Sequence, residues 1–218
     1  MKLALTVAIS ICVPACAQDA PAWPDTYLAR VQALALVETI NAEVLASRSA
    51  TLTLEHWCRD HRLAKEPAIV ADVVRGEAKA ATPEQRERLQ VAATDEVKYR
   101  KVRLRCGDRV LSEADNWYVP SRLTAEMNRL LETTDAPFGK VVQALEPYRQ
   151  TSSVRLLWSP LPDGWERGST PPPATQGSLS IPAALFEHQA VLYTRDHKPF
   201  SEVHEVYQRQ LLAFPPPR

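Results

Sequence analysis

The chain has 218 residues, 45% of them hydrophobic, with 26 basic and 26 acidic side chains and a formal net charge of zero. That length gives one domain a sizeable core and is short for two. Balanced charge leaves no overall field to draw the molecule to nucleic acid or anionic lipid, so neither is expected as a partner.

The first residues, MKLALTVAISICVPACAQDA, set Lys2 ahead of an apolar run from Leu3 to Val13 and the small triplet Ala15-Cys16-Ala17. The run falls well short of the roughly 20 residues that span a bilayer. The layout predicts a secretory signal peptide cleaved after Ala17, an exported (periplasmic or secreted) mature chain, and no stable membrane insertion afterwards. Acylation at Cys16 is the alternative, and Pro14 speaks against it. Cys58 and Cys106 survive the cleavage. In an oxidising compartment they would close a loop of about 50 residues, worth about 4 kcal/mol. Equally, Cys106 ends the apolar face of a strand and could sit there as a small core residue.

In chain order, Asp25 is placed to cap a helix running to about Ala46, with Leu28, Val31, Leu34 and Ala35 at helical spacing. A second helix begins near Thr51 and ends before Pro67. Ile69 to Arg75 reads as a strand, and Thr82-Pro83-Glu84 opens a short surface helix. A hairpin then turns at Gly107-Asp108, between Arg100–Cys106 and Val110–Val119. Thr124 caps the next helix, and Phe138-Gly139 opens a short helical segment to about Leu145. Val154 to Trp158 reads as a strand. Residues 159–177 hold five prolines and read as an irregular loop or flap. Leu185–Thr194 and Phe200–Arg209 form a last hairpin, and the PPPR end is expected to fray. About six strands with helices grouped at the start and middle predict an α+β fold with a mainly antiparallel sheet. The organisation is a signal peptide over 1–17, a linker and helix over 18–48, the main domain over 49–210 and a tail over 211–218.

The first strand of the central hairpin carries the best functional clue. Arg100 falls in phase with Val102 and Leu104, while Lys101, Arg103 and Arg105 alternate to the other face. A guanidinium on an apolar face must snorkel to an edge, pair with a buried carboxylate or receive an anionic ligand. The surrounding basic run from Lys98 to Arg109 has only Tyr99 as an interleaved aromatic, and reads as a solvated sheet face. His56, Cys58 and His61 do not share one helix face, so no metal site is implied. Glu202 and His204 share a strand face and are a weak metal or acid–base pair. Asn116 and Trp117 alternate faces, so one of them faces the core, and Arg155 has the phase of a sheet-edge arginine. No phosphate-binding glycine loop or nucleophile elbow appears, and no cofactor is implied.

The ordered set Ser49-Ala50-Thr51, Val74-Arg75-Gly76, Tyr99-Arg100, Cys106-Gly107-Asp108, Tyr118-Val119-Pro120, Ala136-Pro137-Phe138-Gly139, Val154-Arg155, Lys198-Pro199 and Glu205-Val206-Tyr207 resembles the chorismate pyruvate-lyase family. More broadly it is similar to the chorismate lyase-like fold, which also serves as the effector-binding domain of some bacterial transcription regulators. The resemblance covers about residues 45 to 210. It implies that Arg100 holds the carboxylate of a small aromatic ligand and that Glu205, with Glu202 as a second candidate, meets the ligand's hydroxyl end. The amides at Phe138 and Gly139 would support an anion at a helix start. Asn116 and Arg155 complete the expected binding set. As an enzyme, such a protein would eliminate pyruvate from chorismate to give 4-hydroxybenzoate, with Glu205 and Arg100 as the catalytic pair. As an exported chain it would instead bind a small aromatic or other anionic ligand without chemistry, because chorismate is made in the cytosol.

Overall fold

The computed structural model of the protein describes residues 22–171 and 173–217. The signal-peptide reading and its Cys16 alternative lie outside the described residues. The fold is α+β, with six strands in one wholly antiparallel sheet: β1 (Ile69–Val74), β2 (Lys98–Cys106), β3 (Arg109–Tyr118), β4 (Tyr148–Leu156), β5 (Ala184–Tyr193) and β6 (Pro199–Gln208). The order β1-β2-β3-β6-β5-β4 makes two three-stranded meanders joined along β3 and β6. The helices are α1 (Tyr27–Ala46), α2 (Ala50–Asp60), α3 (Pro83–Arg88), α4 (Ala125–Thr133) and α5 (Phe138–Val141). Among the described residues, no helix is long and apolar enough to cross a membrane.

Local chemistry sets the helix starts. Thr26, and not the expected Asp25, caps α1: its hydroxyl accepts from Ala29 N at 3.2 Å. Asp25 is drawn instead to Arg30 Nε at 2.7 Å and to the Thr175 hydroxyl at 2.8 Å. These contacts hold its carboxyl below the usual range, the Thr175 hydrogen bond being the largest cause. Ser49 caps α2 and starts that helix at Ala50. Thr82 and Gln85 form a reciprocal capping box on α3. Along α1, Ala29, Ala33, Val37, Ile40 and Val44 recur at helical spacing and pack into the same core as the inner sheet face. The helix of the 18–48 segment thus shares its core with the sheet. The expected tail also begins inside the core: Leu211, Leu212 and Ala213 are buried. The indole Nε1 groups of Trp57 and Trp23 donate to Leu211 O at 2.9 Å and Leu212 O at 3.0 Å.

A disulfide joins Cys58 of α2 to Cys106 of β2 across a separation of 48 residues, with the Cα atoms 6.2 Å apart. Of the two expectations for this pair, the bridge is the one observed, and it fixes α2 over the inner face of β2.

The outer sheet face is polar, and opposite charges meet the basic run there. Lys101 pairs with Glu77 at 3.0 Å, Arg103 with Glu113 at 3.4 Å and Arg105 with Asp72 at 2.6 Å. Such exposed pairs each contribute about 0–1 kcal/mol. They also cancel the charge that would make a nucleic-acid surface. The proline-rich loop and the residues just after it meet the segment before α1. Pro24 and Ser178 form a bridge, Asp25 N donates to Gly177 O at 3.0 Å, and Leu179 N donates to Trp23 O at 2.7 Å. The loop is thereby strapped to the segment that leads into α1.

Candidate functional site

Where the two meanders meet, the inner faces of β2, β3 and β6 form the floor of a cavity. The first turn of α2, the start of α5 and the head of β4 wall it. About 60 Å³ of it is open to the centre of a water molecule. That is room for about four or five waters, comparable to one aromatic ring with one or two small substituents. Val102, Leu104, Ala114, Phe138, Val142 and Val203 make the lining mostly apolar, with a few polar groups at fixed places.

Strand register explains where those polar groups stand. Arg100 of β2 lies across from Asn116 of β3, which lies across from Val203 of β6. One row along, Val102, Ala114 and Glu205 form the next cross-strand line. Arg100 and Glu205 are therefore two strand spacings and one row apart, about 12 Å between Cα atoms, with their side chains lining the same cavity from opposite ends.

Arg100 is only 5% exposed. Its Nη2 donates to Ala136 O at 2.9 Å and more weakly to Thr134 O at 3.5 Å. Its Nε and Nη1 are buried with no hydrogen-bond partner. Burial lowers its pKa from the usual arginine value, with partial relief from Tyr118 and Asp135. Of the three fates open to an arginine in this phase, snorkelling is excluded by its burial, and no carboxylate pairs with it among the described residues. Asn116, beside it, accepts a hydrogen bond from Ser201 Oγ at 2.5 Å through Oδ1.

Glu205 is 6% exposed and pairs with a different arginine from Arg100. Its Oε2 accepts from Arg149 Nη2 at 2.6 Å and from the Tyr207 hydroxyl at 3.0 Å. The Arg149 side chain is itself 4% exposed. Burial opposes its charge, but Glu205 and Tyr207 outweigh that and raise its pKa. Burial, reinforced by Glu205, holds the Tyr207 hydroxyl protonated well above its ordinary range. Both protein donors use Oε2, so Oε1 is the carboxylate oxygen left for a ligand.

Behind this pair lies His188, wholly buried, whose Nε2 sits 2.7 Å from Asn41 Oδ1. Its Nδ1 has no partner. Burial, and secondarily the Arg149 charge, lowers its pKa from 6.5 to about 4, so the ring is neutral. The unfolded chain takes up this proton as pH falls through 6.5 and the folded chain only near 4. Stability is thus fully present above pH 6.5 and declines toward pH 4, by about 3 kcal/mol in total. Urea denaturation at pH 7 and pH 4.5 should show most of that loss, and His188→Gln should reduce it.

Phe138 and Gly139 line the cavity at the start of α5, as expected, and Asn116 lines it from β3. Two expected residues do not reach it. Glu202 points to the outer face, where Arg88 grips both its oxygens at 2.9 and 2.7 Å and ties α3 to the sheet. Arg155 also lies on the outer face, with a side chain 66% exposed, and pairs with Glu187 at 2.7 Å. Glu187 in turn lies 3.3 Å from His204 Nε2, so Glu202 and His204 face different partners. In the His56, Cys58 and His61 group, Cys58 is held in the disulfide and the His61 ring stacks between Trp57 and Phe214. Arg149 and His188 are the site residues that sequence reading missed.

No protein-family model matches the chain. Among solved structures it is similar to gene product SA0254 from Staphylococcus aureus, at 16% identity and a TM-score of 0.44, over 80% of this chain and 98% of that one. It is also similar to PhnF from Mycobacterium smegmatis, at 14% identity and a TM-score of 0.43, over 67% of this chain and 61% of that one. A GntR-family transcriptional regulator from Enterococcus faecalis V583 matches at 13% identity and a TM-score of 0.41, over 64% of this chain and 93% of that one. Among curated proteins, y4mC of Sinorhizobium fredii is 52% identical over 196 residues, covering 89% of this chain and 83% of the relative. At that identity and coverage, the chain belongs to the same family as y4mC.

Proposed function

We propose that the cavity binds a small single-ring carboxylate and that the protein is an exported binding module with a chorismate lyase-like arrangement. One observation carries the reading: Arg100 keeps Nε and Nη1 buried and unpartnered in a cavity of single-ring size. A carboxylate gives an orphaned donor of this guanidinium a charge-assisted acceptor, and its ring then lies along the apolar lining toward Glu205 Oε1, which accepts from a hydroxyl or amine. The Cys58–Cys106 bridge supports an oxidising compartment.

The lyase reading is the weaker one. Eliminating enolpyruvate requires a proton for the departing fragment, and Glu205 is the acid expected to give it. Glu205 Oε2 is already occupied as acceptor for the Arg149 guanidinium and the Tyr207 hydroxyl, and this pairing suits Glu205 to hold a ligand's hydroxyl at Oε1. The test is thermal shift and turnover on the chain from Gln18 onward. Benzoate and 4-hydroxybenzoate should raise the melting temperature by several degrees, and chorismate should yield no pyruvate above the uncatalysed rate. Pyruvate release that disappears in Glu205→Gln would restore the enzyme; no shift with any aromatic acid would remove the binding reading as well.

A further inference from the structure

Resting on the reading of the cavity as an acid-binding site, we infer that the Cys58–Cys106 disulfide is a redox lock on it: the chain gains affinity when the bridge closes and loses it when the bridge is reduced. The bridge joins the two halves of the site. Ala50 and Thr51, in the first turn of α2, wall the cavity, and Cys58 stands on the same helix about two turns further along. Val102 and Leu104 of β2 belong to its floor, and Cys106 is the next residue on that face of the strand. One covalent bond therefore fixes how far the wall stands from the floor. The helix is also tied by noncovalent contacts, which break and re-form without chemistry: Glu55 Oε2 accepts from Ile69 N at 3.1 Å and pairs with Lys140, and Trp57 Nε1 donates to Leu211 O at 2.9 Å.

Both cysteines are wholly buried. A dithiol reductant reaches their sulfurs only once α2 lifts from the sheet, and that lift parts the wall from the floor as well. In the exchange, the reductant's two thiols give up two electrons and two protons. The Sγ–Sγ bond breaks, Cys58 and Cys106 take one proton each, and the reductant closes its own disulfide. Reduction and opening of the cavity thus share one motion, and a ligand seated between α2 and β2 opposes both. Linkage is reciprocal: whatever factor the closed bridge adds to ligand affinity, the ligand adds to the equilibrium constant for closing the bridge. A reduced chain holds an aromatic acid poorly, and the site becomes competent in the oxidising compartment where the bridge forms.

The experiment is calorimetric titration of benzoate and 4-hydroxybenzoate into the chain from Gln18 onward, oxidised and reduced with dithiothreitol, and into the double variant Cys58→Ala with Cys106→Ala. Binding should be about tenfold weaker without the bridge, within the usual range of coupling between sites. Saturating ligand should shift the ratio of reduced to oxidised dithiothreitol that half-reduces the protein by the same factor. Hydrogen exchange separates a lock from a general loss of stability: opening the bridge should speed exchange of the α2 amides about tenfold more than those of α4, which the bridge does not touch. Equal affinity in the two forms, or α2 and α4 amides that speed up alike, overturns the lock and leaves the Arg100 site standing. A bridge-free chain that is unfolded in both preparations makes the disulfide a folding staple and overturns the lock too. If no acid binds either form, the Arg100 reading fails, and the exchange comparison alone decides whether the bridge holds α2 down.

Discussion

Replacing Arg100 with methionine should weaken binding of benzoate-class acids about a hundredfold while leaving the fold as stable as wild type or about 1 kcal/mol more stable. The two effects have one cause. In the free protein, the guanidinium keeps one good hydrogen bond, to Ala136 O at 2.9 Å, and leaves Nε and Nη1 buried without partners. Each orphaned donor costs about 1–3 kcal/mol, so an apolar chain of similar length relieves more than it gives up. A bound carboxylate reverses the sign by giving an orphaned donor a charged acceptor, which is why the same change weakens recognition. Calorimetry with 4-hydroxybenzoate and urea denaturation of the free protein read the two halves separately. An Arg100→Met variant destabilised by 3 kcal/mol or more would mean that the arginine is a structural strut and its free edge incidental.

Arg100 was legible because a period-two strand fixes parity. Residue 100 shares a face with residues 102 and 104, and no tertiary knowledge is needed to see a charge out of place. The same parity separates Glu202 from Glu205: three residues apart on one strand, they face opposite sides, and only Glu205 shares the Val203 and Tyr207 face. Arg155 was harder. Arg149 and Arg155 have equal parity, yet the bulge between Thr151 and Ser153 inserts one residue and turns Arg155 outward while Arg149 stays inward. Nothing in the local sequence announces that bulge. Nor does Arg149 announce itself, because β4 is an edge strand whose polar run Arg149–Ser153 lacks the alternation that marks a half-buried strand, so its start at Tyr148 was hidden. The Arg149–Glu205 pair spans 56 residues and joins β4 to β6 across the intervening β5, so only the folded second meander brings the two together. Local elements follow from spacing and caps, whereas a side-chain pair that reaches across β5 is a property of the assembled sheet.

The second large effect concerns that pair. Arg149→Met should destabilise the protein by about 3–5 kcal/mol, because it leaves the Glu205 carboxylate at 6% exposure with only the Tyr207 hydroxyl as a donor. The variant Arg149→Met with Glu205→Met should recover most of the loss, to within about 1–2 kcal/mol of wild type, since two apolar chains of similar volume remove both desolvation penalties and strand only the Tyr207 hydroxyl. Urea denaturation of the four proteins closes a double-mutant cycle, and its coupling energy is the quantity to read. A double variant as unstable as Arg149→Met alone would mean that the loss comes from packing around Arg149 and not from a stranded carboxylate. The functional consequence follows from the geometry: a pair that can be replaced without great loss of stability is retained for what it presents, which is Glu205 Oε1 held toward the cavity. The stable double variant should therefore bind benzoate nearly as wild type does, through Arg100, and lose the extra affinity that a 4-hydroxyl confers.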